Sequence, residues 1–428
     1  MRIDLSREEL ALNGGPLIRS DPWSDNFTLG EEEKNAVLRV LETGYLSKFE
    51  GSHTPTPPFS FYGGPEVQQL EEEWVAYYES KYAISMNSAT SGLYAAIGAL
   101  GIGYGDEVIV SPYTMSACAI APLLFGAIPV FADVEEGTGS LDPKSVESVI
   151  SNRTKAILVV HQFGIPAKMT EIMGLANKYD LRVVEDCAQA HGARFNGVSV
   201  GTFGDIGVFS LNVNKSIQTG EGGVCITTSE EIAYRLALIR NHGEAVVGPA
   251  NYQNLCNIIG FNFRLTELQA AIAREQLKKL DRLNEHRLEL VNYLTEKLFD
   301  HPCLSVPLIS DNSKSTYYVY PIRFEPSKVN ITRNNFVAAL NAEGAEFFQG
   351  YVEPLYLQPL YQSQKLFQHS YPFAAPENID HTARYEKGTC PTAEILHYEK
   401  MLINEHIRYP HTLGDMDQIV RMIDKVTG

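Results

Sequence analysis

Lys215 has a setting that a solvated surface lysine does not need. It stands in VFSLNVNKSIQTGEGG, after an apolar run that reads as a buried strand and before a Gly-rich turn. A partly desolvated primary amine is a nucleophile toward a carbonyl carbon. A second titratable group, Asp186, closes another apolar run in LRVVEDCAQAH. In open α/β sheets, ligands bind beyond the carboxyl ends of the strands, which is where this carboxylate falls. A third feature is MNSATSGLYAA, where Ser88, Thr90 and Ser91 open a helix directly after a strand. The free N–H groups and dipole of a helix start favour an anion. An ordinary N-cap uses those same N–H groups, so the two readings overlap. Tyr113, just past the strand EVIVS, offers a ring that can pack on a flat ligand or serve as core.

An amine, a carboxylate, an anion site and an aromatic face together match the needs of pyridoxal phosphate (PLP). Its aldehyde needs an amine, and Lys215 supplies one. Its pyridine nitrogen must stay protonated for the ring to act as an electron sink, and a buried carboxylate at Asp186 does that. Its phosphate suits the turn Ser88-Ala89-Thr90-Ser91-Gly92, and Tyr113 is the stacking candidate. No metal is called for. The cysteines at 118, 187, 225, 256, 303 and 390 form no CxxC pair and no Cys/His cluster with zinc spacing. Scattered thiols of this kind suit a reducing, cytoplasmic setting.

These residues need a scaffold that brings strand ends together. Apolar strands are predicted at 82–86, 107–111, 128–133, 155–161, 181–186, 206–211 and 223–228. Helical periodicity fills 30–43, 66–79, 142–151, 167–179 and 229–241, with a further helix starting near Ser91. Strands without alternation, separated by helices, indicate a sheet buried on both faces and mostly parallel. A helical stretch from Leu265 to about Leu298 is expected to break near its middle and link two domains. Beyond it come a strand at 317–324 and helices at 332–344 and 414–426, a smaller α+β unit. The expected division is an N-terminal segment 1–65 with a helix and an irregular loop, a large domain 66–280 and a small C-terminal domain 281–428. Residues 47–65, rich in Pro, Gly and Ser, read as an irregular connection placed to cover a site.

The chain has 428 residues, 44% apolar and 20% charged, as in a soluble globular protein. Its formal charge of −17 repels phosphate backbones and anionic membranes, so neither is an expected partner. The N-terminus shows no secretion signal. The uncharged stretch between Glu107 and Asp133 is broken by Pro112, Pro122, Gly126 and Pro129, and reads as strand, turn, buried helix and strand. The glycines at 101, 103 and 105 precede a strand instead of following one, which excludes a dinucleotide loop. His161 reads at least as well as a structural histidine, and His191 has no role derivable from sequence.

The ordered set SATSGL, GIGYGDEVIVSPYT, GAIPVFADVE, EDCAQAHGA, FSLNVNKSIQTGEGG and FNFRLTELQAAI resembles the DegT/DnrJ/EryC1/StrS aminotransferases over about residues 28–426. The resemblance implies a fold-type I PLP enzyme, a homodimer with active sites at the subunit interface. It implies Lys215 as the cofactor lysine, Asp186 as partner of the ring nitrogen and Gln189 near the ring and its phenolic oxygen. Ser210 would join Thr90 and Ser91 on the phosphate, Asn262 would reach it from the other subunit, and Tyr113 would stack. The implied reaction is ping-pong transamination from glutamate or glutamine to a ketone, on a nucleotide-linked sugar in most members. ALNGGPLIR, CPTAEILHYEKML and the unusual lysine loop LNVNK look instead like the subgroup that aminates keto-cyclitols in aminoglycoside pathways. A free keto sugar stays open as well. Sugar dehydratases of this fold carry histidine in place of the lysine, so Lys215 argues against that class. The Asp186/Lys215 pair argues against a non-catalytic binder.

Overall fold

The computed structural model describes residues 1–51, 59–307 and 312–428. Its centre is one sheet of seven strands: β1 (Tyr82–Met86), β2 (Glu107–Val110), β3 (Ile128–Phe131), β4 (Thr154–Val160), β5 (Arg182–Asp186), β6 (Ile206–Ser210) and β7 (Gly223–Thr227). They lie in the order β1-β7-β6-β5-β4-β2-β3. Only β7 runs against its neighbours. Each predicted strand is present within a residue or two. Val108 and Val110 pack on one face and Ile109 on the other, so both faces are buried. That explains apolar runs without alternation.

Among the described residues, eight α-helices precede the C-terminal part: α1 (Glu31–Glu42), α2 (Pro65–Tyr78), α3 (Ala89–Ala99), α4 (Ala117–Leu124), α5 (Pro143–Val149), α6 (Met169–Tyr179), α7 (Glu230–Arg240) and α8 (Glu267–Leu298). The uncharged 107–133 stretch is β2, the buried α4 and β3, as its prolines indicated. No helix among the described residues is long and apolar enough to cross a membrane. α8 corrects the expected break: it is one helix of 32 residues. It contains no Gly or Pro to interrupt it, and buried residues from Ala270 to Leu298 keep one stripe on the protein throughout.

A second sheet comprises β8 (Leu304–Ser305), β9 (Tyr320–Phe324), β10 (Phe348–Gln349) and β11 (Met401–Asn404), antiparallel in the order β8-β9-β11-β10. The predicted strand at 317–324 starts late because Tyr317 adopts φ 49°, outside the β region. The final helix spans Leu413–Thr427. The core of this second unit includes Ile3, Leu10 and Trp23. The N-terminal residues therefore pack on the C-terminal unit. The Trp23 indole donates to the Gly344 carbonyl at 2.8 Å and its ring stacks on His406 at 4.4 Å. Of the predicted 47–65 connection, residues 52–58 lie outside the described residues, and Phe49 and Ser60 form a bridge beside them.

Candidate active site

Four strand ends meet at a cavity of about 340 Å³. After β1, Ser88 caps α3: its hydroxyl accepts from the Ser91 N–H at 3.0 Å. The N–H groups of Ala89 and Thr90, ahead of the capped Ser91, have no intrahelical acceptor, and both residues line the cavity. Two glycines let this helix start sit on the sheet. A Cβ on Gly223 would lie 2.6 Å from the Ala89 nitrogen, and one on Gly92 would lie 2.8 Å from Val208. Ser88, Ala89 and Thr90 line the cavity; Ser91 is one step deeper, with its hydroxyl 3.0 Å from that of Ser88.

β5 delivers the acid. Asp186 is 5% exposed and lines the cavity. One carboxylate oxygen accepts from the Ala188 N–H at 2.9 Å and the other from the Cys118 thiol at 3.1 Å. Burial and the Asp186 charge push that thiol's pKa well up, so it remains a donor. Gln189 also lines the cavity, accepting from the Phe163 N–H at 2.7 Å and donating to the Tyr351 hydroxyl at 3.2 Å. β6 delivers Ser210, and the turn after it delivers Lys215. The Lys215 ammonium sits 4.2 Å from the centre of the Tyr318 ring. Burial lowers its pKa, opposed by the charges of Asp186 and Glu405. Desolvation is what readies a lysine to act as a base near neutral pH.

The structure thus brings Lys215, Asp186, Gln189, Ser210 and Thr90 to one cavity, with Ser91 just behind. Two residues stand elsewhere. Tyr113 does not stack over the cavity. It is fully buried, edge-on to Tyr351 at 6.0 Å, because Ser111 and Pro112 turn the chain inward and Leu355 donates to the Pro112 carbonyl. The wall there is Thr114, Met115, Ser116 and Ala117, and the rings that line the cavity are Tyr94, Tyr318 and Tyr351. Asn262 is exposed, bridged to Asn241, and accepts from Arg264 at 2.7 Å, outside its own chain's cavity.

α8 holds the lysine loop from behind. Gln269 donates to the Glu221 carbonyl at 2.6 Å, and Gln276 accepts from the Gln218 N–H at 3.3 Å. Asn284 donates to the His191 carbonyl at 2.8 Å, and Arg287 to the Ser216 hydroxyl at 2.8 Å. Asn26, from the N-terminal segment, donates to the Lys215 carbonyl at 3.1 Å. Sequence reasoning missed these supports, because no local motif marks a hydrogen bond made across the fold. Glu185, beside Asp186, is another. It accepts from His161 at 3.0 Å and from the N–H groups of Gly201, Phe203 and Gly204. His161 accepts from Ala167 on its other nitrogen. Glu185, His161 and Cys187 are close enough to share a metal ion, but these bonds already occupy the carboxylate and both imidazole nitrogens.

His191 gives a pH prediction. It is fully buried between Trp74 and Phe209, and both ring nitrogens lack a partner. Burial first, then the Lys215 charge, lowers its pKa from 6.5 to about 3. The unfolded chain takes a proton below pH 6.5 that the native state refuses. Stability is therefore full above pH 6.5 and falls between pH 6.5 and 3, by roughly 1.4 kcal/mol per pH unit for this group alone. Urea midpoints measured across that window for wild type and His191→Asn should converge as pH falls. Parallel curves would contradict the assignment.

A model of the DegT/DnrJ/EryC1/StrS aminotransferase family matches residues 59–382. The chain belongs to that family. Among its relatives is the dTDP-3-amino-3,4,6-trideoxy-alpha-D-glucose transaminase of Streptomyces venezuelae, 32% identical over 402 residues, with 93% of this chain and 94% of the relative covered. Another is a putative L-glutamine:3-amino-2,3-dideoxy-scyllo-inosose aminotransferase of Streptoalloteichus tenebrarius, 31% identical over 425 residues, covering 98% and 97%. The X-ray structure of the aminotransferase from Psychrobacter cryohalolentis superposes with a TM-score of 0.79 at 30% identity, over 96% of this chain and 98% of that one. DegT-family aminotransferases depend on PLP, and this chain is a transaminase of that class. The cavity fits the cofactor by its donor set: an amine, a buried carboxylate, hydroxyls and a helix start on separate walls of one space.

Proposed function

We propose that this DegT-family enzyme moves an amino group from glutamate or glutamine to a ketone on a nucleotide-linked sugar, with a keto-cyclitol or free keto sugar as the alternative acceptor. The observation that carries the reading is the meeting of Lys215, Asp186 and the α3 start around one cavity. The relatives named above act, by their names, on a dTDP-sugar and on an inosose, so sugar and cyclitol both remain in view.

In this reading Lys215 would hold PLP covalently, Asp186 its ring nitrogen, Gln189 its phenolic edge, and Ser210, Thr90 and Ser91 its phosphate. The bound cofactor supplies an electron sink for the carbon that loses a proton. The chain's own part is positional and electrostatic. Asp186, its oxygens held by Ala188 and Cys118, would set its carboxylate against the ring nitrogen. Lys215, its pKa lowered by burial, would be the base that takes the proton from the donor's α-carbon. Tyr318 and Tyr351 close the cavity from the C-terminal unit and keep water from the reacting atoms.

We also propose a homodimer in which Asn262 of each copy reaches the neighbour's phosphate site. Asn262 is exposed, and Leu38, Leu41 and Tyr45 expose an apolar stripe along α1 and just beyond it. The test starts from protein reconstituted with PLP. Glutamate or glutamine should bleach the visible absorbance band of the lysine-linked cofactor. Among nucleotide keto sugars, free keto sugars and keto-cyclitols, one class should restore it. A band that no amino donor bleaches overturns the transaminase reading; restoration by a cyclitol alone replaces the nucleotide sugar with the alternative.

A further inference from the structure

Tyr351 carries a hydroxyl proton that the fold leaves unspent. The residue follows β10, where the Gly350 N–H donates to the Met401 carbonyl at 2.8 Å, and it lines the cavity that Lys215 and Tyr318 also line. Phe163 fixes its surroundings. The Phe163 ring meets the Tyr351 ring edge-on at 5.2 Å, and the Phe163 carbonyl accepts from the Tyr318 N–H at 2.8 Å. The Phe163 N–H donates to Gln189 Oε1 at 2.7 Å. That bond settles which way the Gln189 amide points, because a backbone N–H needs the oxygen and not the NH2 group. The amide nitrogen therefore faces the Tyr351 hydroxyl, 3.2 Å away, and donates to it. Tyr351 is the acceptor in that bond. Its own O–H has no acceptor among the described residues.

A hydrogen bond left unmade in a desolvated place costs about 1–3 kcal/mol. Burial pushes the Tyr351 pKa up, so the proton is present at neutral pH. Its acceptor therefore belongs to what fills the cavity. Amination of a ketone makes a demand that Lys215 and Asp186 leave open, since the ketone oxygen has to leave as water. The carbon gains a bond to the transferred nitrogen, that nitrogen gives up two protons, and the oxygen takes up two. Negative charge builds on the oxygen as the nitrogen adds, and a fixed O–H donor stabilises it. We infer that Tyr351 is a catalytic residue whose hydroxyl, oriented by Gln189 and Phe163, donates to the ketone oxygen, passes a proton to it as it departs, and recovers one from the nitrogen. This rests on the transaminase reading above. The same hydroxyl serves the reverse step, when water adds and the donor's oxo acid is released. The second hydrogen of the Gln189 amide stays free for the cofactor's phenolic edge.

The test uses the PLP-loaded enzyme and separates two signals. Bleaching of the visible band by glutamate reports proton removal from the donor, with no bond to oxygen made or broken. Return of the band with α-ketoglutarate, the ketone that glutamate leaves, needs the oxygen to depart. Removing one preorganised donor costs about 10²–10³ in rate. Tyr351→Phe should slow the return and the release of oxo acid by that factor, while bleaching changes little. The ring keeps its contacts with Phe163 and Tyr113, so the thermal midpoint and the PLP affinity of the cofactor-free protein should match wild type. Gln189→Glu should reproduce the slow return with the phenol in place, because the carboxylate accepts the Tyr351 proton. It also keeps the assignment testable if Tyr351→Phe does not fold. A return as fast as wild type in either variant overturns the assignment. Equal slowing of bleaching and return in Tyr351→Phe does so too, since a mere support of the cavity would act on both. A wild-type protein that no donor bleaches sinks the transaminase reading instead.

Discussion

Replacing Lys215 by alanine is expected to remove the visible absorbance of the lysine-linked cofactor and to lower turnover by at least about 10⁴-fold. Two losses combine. The chain loses its covalent hold on the cofactor, and it loses the base that moves the donor's proton. No other lysine lines the cavity, so no neighbour can substitute. The fold should survive, because among the described residues the ammonium makes no hydrogen bond and a single ring contact, with Tyr318. Such a contact contributes about 0.5–2 kcal/mol. Far-ultraviolet dichroism should match wild type. A small amine such as methylamine should restore part of the proton transfer in the variant, since it fills the vacated space beside Tyr318. A Lys215→Ala protein that keeps the band would show that another amine carries the cofactor.

Asp186→Asn is the second large effect. The amide preserves shape, its oxygen can still accept from the Ala188 N–H, and its NH2 group would face the Cys118 sulfur, which can turn to accept, so folding should change little. What it removes is a negative charge in a buried place. Without it the ring nitrogen loses its reason to stay protonated, and the electron sink weakens. Preorganised charges of this kind are worth about 10²–10³ in rate each. The donor half-reaction should slow by about that factor, while cofactor binding falls less. Asp186→Ala differs: it leaves the Cys118 thiol and the Ala188 N–H without an acceptor. It should also cost about 1–3 kcal/mol of stability. Single-turnover bleaching rates and thermal midpoints for both variants check this. A donor half-reaction in Asp186→Asn as fast as wild type would remove Asp186 from the chemistry.

Much of the site was legible because its parts are local. A lysine after an apolar strand, an acid ending another and a Ser-Ala-Thr-Ser helix start are each visible in a few residues. The parallel sheet then places strand ends together whatever the details of packing. The long helix was misread at its middle because the charged run from Lys278 to Arg287 masks an apolar stripe that Leu280 and Leu283 carry through. Tyr113 failed for a different reason. Its position past β2 was right, but the direction of a side chain after a strand depends on the turn, and Ser111 and Pro112 send it into the core.

The amino-acid order by itself determined the sheet, its helices and the residues at the strand ends, since periodicity and short-range capping act within a few residues of chain. The tertiary structure decided what surrounds them. Tyr318 and Tyr351 come from the C-terminal unit and reach the Lys215 cavity only because that unit packs over the strand ends. Their role is invisible in sequence, because it comes from burial and from contacts made across the fold. Both are properties of a folded neighbourhood and of no single segment.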